Sequence, residues 1–171
     1  MARRFRGEWV HKVDAKGRVS IPAPFRRALE EGDPDYERGG NPFLVLVYGR
    51  KNKNCIEGYS VRSMDEVDDM IAALPRYSRE REALERMINT QSAQVQVDEN
   101  GRIVLSAKLR EKVGIAKEAV LAGMGDKFQI WEPGAYEADQ AEIDTWLGDQ
   151  GEAEDPFALL DRARLGAVSG G

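Results

Sequence analysis

The segment VDAKGRVSIPAPFRR, residues 13–27, returns 84 residues later as VDENGRIVLSAKLRE, residues 97–111. At that offset Val13/Val97, Asp14/Asp98, Gly17/Gly101, Arg18/Arg102, Ala23/Ala107 and Arg26/Arg110 are identical, while Val19/Ile103, Ile21/Leu105 and Phe25/Leu109 stay apolar. A self-similar chain builds two copies of one supersecondary unit, so the repeat constrains the fold before any other feature. The likeness resumes downstream, where FLVLVYGRKNKNCIEGY (43–59) matches AVLAGMGDKFQIWEP (119–133) with Tyr59 on Trp131, an offset of 72. The first half therefore carries about twelve extra residues, expected in EEGDPDYERGGNP (30–42), whose Gly, Pro and Asp mark a loop.

Each half reads as strand, tight turn, strand, short helix, strand, turn, strand: a mixed α+β fold, mainly β. EWVHKVD is a strand candidate, and AKG is a turn in which Gly17 is free to adopt positive φ. RVSIP is a second strand that Pro22 ends, and PFRRALEE is a short helix with Pro24 near its start, where a missing N–H costs least. In the second half Ser106 caps AKLREKV and Gly114 ends it. Between the halves, SMDEVDDMIAAL (63–74) places Ser63 and Glu66 in capping-box spacing, and SREREALERMIN (78–89) follows Pro75. YEADQAEIDTWL (136–147) is a matching outer helix of the second half. The organisation so read is a first unit at 5–62, connecting helices at 63–91, a second unit at 92–147 and an acidic tail at 148–171. The tail is expected to be mobile apart from a helical turn or two in DPFALLDRARL.

Composition narrows the function. Hydrophobic residues at 42% and charged residues at 32% fit a globular class, and no apolar run approaches the roughly 18 residues of a membrane span. The basic N-terminus lacks an apolar core and does not read as a secretory signal. Cys55 and His11 are each alone of their type, which excludes an intrachain disulfide, points to a reducing cytoplasm, and makes a metal site or Cys/His catalytic pair a poor fit. No nucleophile, base and glycine-rich phosphate loop come together, so the expectation is a non-enzyme without cofactor or metal. Net charge is −5, yet residues 1–28 balance at +6 and residues 132–171 at −8. Such asymmetry lets an acidic protein meet a polyanion through one face.

The basic face centres on the repeated D-x-x-x-R. An Asp four residues before an Arg across a glycine turn can be purely structural, with Asp14 accepting turn N–H groups and Arg18 bracing a strand. Around Arg18, however, Lys12, Lys16, Arg26 and Arg27 fall within 16 residues. A basic β-ribbon fits a DNA major groove, where Arg neutralises phosphate or reads guanine through two parallel bonds.

These residues carry a resemblance to a known family. FRGEWVHKVDAKGRVSIPAPFR (5–26), VQVDENGRIVLSAKLRE (95–111) and FQIWEPGAYE (128–137) resemble the MraZ family of bacterial transcriptional regulators, over nearly the whole chain up to about residue 147. The resemblance implies two SpoVT-AbrB-type, swapped-hairpin-like units forming a pseudo-dimer within one chain, with peripheral helices. It implies a cytoplasmic, nucleoid-associated homo-oligomer, ring-shaped, that binds short direct repeats in double-stranded DNA through basic hairpins. Such proteins usually repress the division and cell-wall gene cluster that includes their own gene. The family's signature falls on Asp14/Arg18 and Asp98/Arg102, with the turn glycines Gly17 and Gly101. In the wider fold group the DNA-contacting bases correspond here to Lys12, Arg18, Arg26 and Arg27; Lys16 in the same basic segment, and Arg102 and Arg110 in the second half, are further DNA-binding candidates. Where the first half has Lys12, Lys16 and Arg27, the second has Gln96, Asn100 and Glu111, so the first half is expected to supply most of the DNA contact.

Other constellations read as structural. Alternating charges in 78–90 are a solvated helix face laced with i,i+4 pairs. Trp9, Trp131, Trp146, Tyr59 and Phe128 are core or protomer-contact packing, Asp65, Asp68 and Asp69 are surface charge, and Cys55 is a small apolar filler.

Overall fold

Neither half of the repeat completes a sheet with its own strands. In the computed structural model, whose described residues are 3–151 and 155–169, β1 (Glu8–Lys12) pairs antiparallel with β7 (Glu118–Gly123) of the other half. Reciprocally, β5 (Ser92–Gln96) pairs with β3 (Phe43–Val47). The hairpins β3–β4 (Ile56–Ser60) and β7–β8 (Phe128–Trp131) meet along β4 and β8, giving a six-stranded sheet ordered β1-β7-β8-β4-β3-β5. That order reads the same in repeat positions from either end, so a pseudo-two-fold axis passes between β4 and β8 at the Glu57–Gln129 pair. β2 (Arg18–Ser20) and β6 (Arg102–Val104) form a separate two-stranded ribbon, one strand from each half. Tandem units exchanging hairpins within one chain is the fold class that the family resemblance implied.

The registers locate the extra residues of the first half. β1 and β5 correspond at an offset of 84, β3 and β7 at 75, and β4 and β8 at 72. Nine of the twelve residues therefore lie before β3, in the loop expected to hold all of them, and three lie in the longer β3–β4 turn.

Period-two alternation drives the burial. Leu44, Leu46, Ile56, Leu121, Phe128 and Ile130 point to one face of the sheet, where they meet Val19, Ile103, Phe25 and Leu29 in one core. Phe25 stands 5.1 Å from Phe128, 5.3 Å from Phe5 and 5.1 Å from Trp9, in tilted and edge-on arrangements that aromatic quadrupoles favour. Gly58 is required beneath this cluster, since a Cβ there meets the Phe128 ring at 2.4 Å. On the opposite face a buried polar chain crosses the pseudo-axis: Arg50 donates to Glu57 Oε2 at 3.3 Å, Gln129 Nε2 to the same oxygen at 3.0 Å, and Trp131 Nε1 to Gln129 Oε1 at 3.0 Å.

α1 (Ala23–Glu31) opens with Pro24 in its first turn, and α4 (Ala107–Val113) is capped by Ser106 and closed by Gly114 in the left-handed region. α2 (Val61–Ala72) departs from the sequence expectation. Its cap is Ser60, whose Oγ accepts the Ser63 N–H at 3.2 Å, because β4 runs straight into the helix and moves the cap three residues earlier than Ser63. α3 (Arg79–Leu84) continues into a π-helical turn, Glu85–Asn89. The alternating charges of this segment do pair, Arg81 with Glu85 and Arg86 with Glu82. Arg81 also donates to the carbonyls of Ala72 and Leu74 at the end of α2.

The described residues from Gly134 onward form a second compact unit. α5 (Pro133–Asp149) runs two residues past the expected outer helix, and α6 (Pro156–Ser169) is far longer than the one or two turns expected. Asp155 explains its start, accepting the Phe157 N–H at 2.9 Å ahead of Pro156, and Ala, Leu and Arg then favour propagation. Phe128 and Trp131 are buried, whereas Trp146 on α5 is 51% exposed.

Candidate nucleic-acid interface

The two D-x-x-x-R segments fold into the same turn. Asp14 Oδ1 accepts the N–H of Lys16 at 3.0 Å and of Arg18 at 2.9 Å, and Asp98 Oδ1 accepts those of Asn100 at 2.8 Å and Arg102 at 3.0 Å. The Gly17 N–H closes back on the Asp14 carbonyl and the Gly101 N–H on that of Asp98, each at 2.9 Å. Both glycines sit at positive φ, +83° and +76°, which a side chain resists. The N–H groups of Arg18 and Arg102 hold the respective carboxyls below the ordinary aspartate value of 3.8. A depressed folded value places the stabilisation above the unfolded pKa and removes it only as pH falls through the folded one, so both turns are intact at neutral pH.

Each turn is locked by the other half. The Leu105 N–H donates to the Gly17 carbonyl and the Ile21 N–H to that of Gly101, both at 2.8 Å. Arg110 donates from Nε to the Leu105 carbonyl at 3.0 Å and covers Gly17. Arg26 donates to the Ile21 carbonyl at 3.0 Å and covers Gly101. The pairing that the sequence suggested, β1 with β2 as one basic hairpin, is reduced to a single Val13–Val19 bridge. β2 instead finds its ladder partner in β6, which lets Val19 and Ile103 bury together at 0% and 1% exposure.

The consequence is a shared arginine face. Arg18 lies opposite Val104 and Ser20 opposite Arg102, so all four side chains stand on the outward side of one ribbon. Arg18 acts electrostatically on Asp98, across the halves. The two arginines are not held alike. Arg18 Nε donates to Asp14 Oδ2 at 2.6 Å, whereas Arg102 Nε is 3.7 Å from Asp98 Oδ2 and makes no hydrogen bond. Lys16 is exposed in the first turn and Arg27 on α1, and Lys12 is exposed at the end of β1 with Glu118 as its cross-strand neighbour. Arg26 and Arg110 are half-buried.

Likeness to known proteins fixes the family. The model described as "MraZ protein, putative antitoxin-like" matches twice, over residues 4–87 and 88–151. The chain belongs to the MraZ family. It is 53% identical over 164 residues to the "Transcriptional regulator MraZ" of Ruegeria pomeroyi, covering 95% of this chain and 98% of the relative. It is 48% identical to that of Cereibacter sphaeroides strain ATCC 17025, covering 82% and 87%, and 35% identical to that of Rickettsia akari, covering 78% and 84%. MraZ membership makes the chain a transcription regulator and not an enzyme.

Within this MraZ chain, the sequence marked both arginines of the ribbon but not their neighbours Ser20 and Val104. Only the alternation in RVS and RIV hinted that positions 20 and 104 share the arginine face, because a two-residue strand period says nothing about which strand lies opposite. A cavity of about 230 Å³, lined among others by Val47, Tyr59, Met64 and Met87 on the far face of the sheet, contains none of the basic candidates.

Proposed function

We propose that this MraZ-family chain is a sequence-specific repressor that binds double-stranded DNA through the β2–β6 ribbon. The observation that carries the proposal is Arg18 and Arg102 on one outward ribbon face built from both halves. A two-stranded ribbon has the width to enter the major groove, where side chains of one face meet base edges. Arg18 is oriented by Asp14, which occupies Nε and leaves its two terminal nitrogens without a partner among the described residues. That is the fork geometry suited to guanine or phosphate. Lys12 and Lys16 add phosphate contacts beside the Arg18 turn, and Arg27, on the helix whose Arg26 covers Gly101, adds one on the Arg102 side. Where the first half has Lys12, Lys16 and Arg27 the second has Gln96, Asn100 and Glu111, so the first half contributes more. Arg26 and Arg110 hold the turns and retain further donors for phosphate.

One ribbon with a few charged contacts binds weakly and with steep salt dependence. We therefore place the protein in the cytoplasm, on the nucleoid, as a ring of copies. Several ribbons on evenly spaced direct repeats then gain about 10²–10⁴ in avidity. Its targets are repeats upstream of the division and cell-wall cluster containing its own gene. The test is a titration of the purified protein against a labelled duplex from upstream of its own gene, beside a scrambled duplex, at two salt concentrations. Binding that prefers the native duplex, and weakens as salt rises, is expected. Equal affinity for both duplexes would return the chain to a structural, ring-forming role.

A further inference from the structure

On the ribbon face the pseudo-two-fold axis exchanges Arg18 with Arg102 and Ser20 with Val104. The first exchange puts the same residue in both places. The second sets a hydroxyl against an isopropyl group. Val104 is 54% exposed, an apolar side chain flanked along its strand by Arg102 and across the ladder by Arg18. A lone exposed valine is ordinary on a protein surface. Here it lies on the four-residue patch that must approach base edges if the ribbon enters the groove.

We propose that Val104 is a specificity-determining residue that packs on the C5-methyl group of a thymine and gives the DNA site a direction. The inference rests on the DNA-binding reading of the ribbon and deepens it. Thymine alone among the four bases presents a methyl group in the major groove, and an apolar side chain is what recognises it. Valine is suited to this, because branching at Cβ fixes its rotamer and holds two methyl groups outward at little entropic cost. Direction follows from the symmetry. A ribbon with identical residues on both strands offers the same contacts to a duplex and to that duplex turned end for end. Two arginines alone therefore specify a site without polarity. With Val104 at one corner and Ser20 at the other, the thymine must lie on the β6 side. Head-to-tail direct repeats can then be distinguished from inverted ones.

The experiment replaces thymines of the upstream duplex, one at a time, by deoxyuridine, which removes only the methyl group. Losing one buried methyl lowers affinity about fourfold. The wild-type chain is expected to show that loss at one thymine of each repeat. Val104→Ser, which makes the ribbon face symmetric, should bind the unmodified duplex about fourfold more weakly and be indifferent to deoxyuridine at that thymine. Val104→Thr, which keeps one methyl, should recover part of the sensitivity. The side chain is exposed, so the variants should keep the wild-type thermal midpoint. If deoxyuridine has no effect at any position while Arg18→Ala still weakens binding, the inference about Val104 fails and the ribbon reading stands. If the wild-type chain does not prefer the upstream duplex at all, the ribbon reading itself fails.

Discussion

Gly17→Ala should destabilise the protein by about 3 kcal/mol, lowering its thermal midpoint by roughly 6–12 °C. Two costs add. At φ +83° a Cβ is disfavoured by about 1–2 kcal/mol. The new carbon also lies 2.2 Å from the Leu105 carbonyl oxygen, a backbone atom at the junction of β6 and α4 that also accepts the Arg110 Nε–H. It can retreat only by loosening that junction, and with it the Leu105 N–H bond to the Gly17 carbonyl. Gly101→Ala is the internal control. Its φ of +76° carries a similar conformational cost, but the atom its Cβ meets at 2.2 Å is Arg26 Nη1, the end of a flexible side chain. Rotating Arg26 away exchanges its bond to the Ile21 carbonyl for bonds to water, a net cost of about 0.5–1 kcal/mol for this half-exposed donor. Thermal unfolding of both variants should therefore rank Gly17→Ala as the more damaging. A Gly101→Ala variant that is the less stable of the two would show that the interlock is not what holds the turns.

Replacing Arg18 and Arg102 together by alanine should reduce affinity for the upstream duplex by about 10²-fold or more, with each contact contributing about 1–3 kcal/mol. The loss should fall mainly on the native duplex where an arginine reads a base, and should lower the salt slope by about 1 for each phosphate contact removed. Folding should survive. The side chains are 35% and 29% exposed, and ion pairs in such settings contribute about 0–1 kcal/mol. Of the single variants, Arg18→Ala should be the more severe, because Lys16 stands on the turn beside it and Asp14 orients its guanidinium, whereas Glu99 and Asn100 stand on the turn beside Arg102, whose Nε makes no hydrogen bond. Unchanged affinity in the double variant would remove the ribbon from the binding surface.

Much of this organisation was legible in the sequence because it is local. The glycine turns, the Ser106 cap, the Gly114 stop and the strand segments follow from residue chemistry within a few positions. The exchange itself was not available from residues. A strand pattern gives a face but not a partner, and both β1–β2 and β2–β6 pairing suit RVS equally well. Only the resemblance to a known family anticipated it. The same limit explains Arg26 and Arg110. In sequence they are two more bases after the turn, while in space each crosses to cover the glycine of the opposite half. The sequence also misassigned the α2 cap to Ser63. Ser60 is hidden at the end of a strand, where a capping serine and a strand residue look alike.

The claim at the centre is that one ribbon, assembled from both halves, is the DNA surface. Hydrogen–deuterium exchange of the full chain, with and without a saturating upstream duplex, tests it most directly, since a ligand that binds the native state suppresses opening of the segments it touches. Peptides covering 13–21 and 97–105 should gain protection together, and peptides covering α2, α3 and the π-helical turn (61–89) should not. Protection of one repeat segment without the other, or protection centred on those helices, would contradict the account.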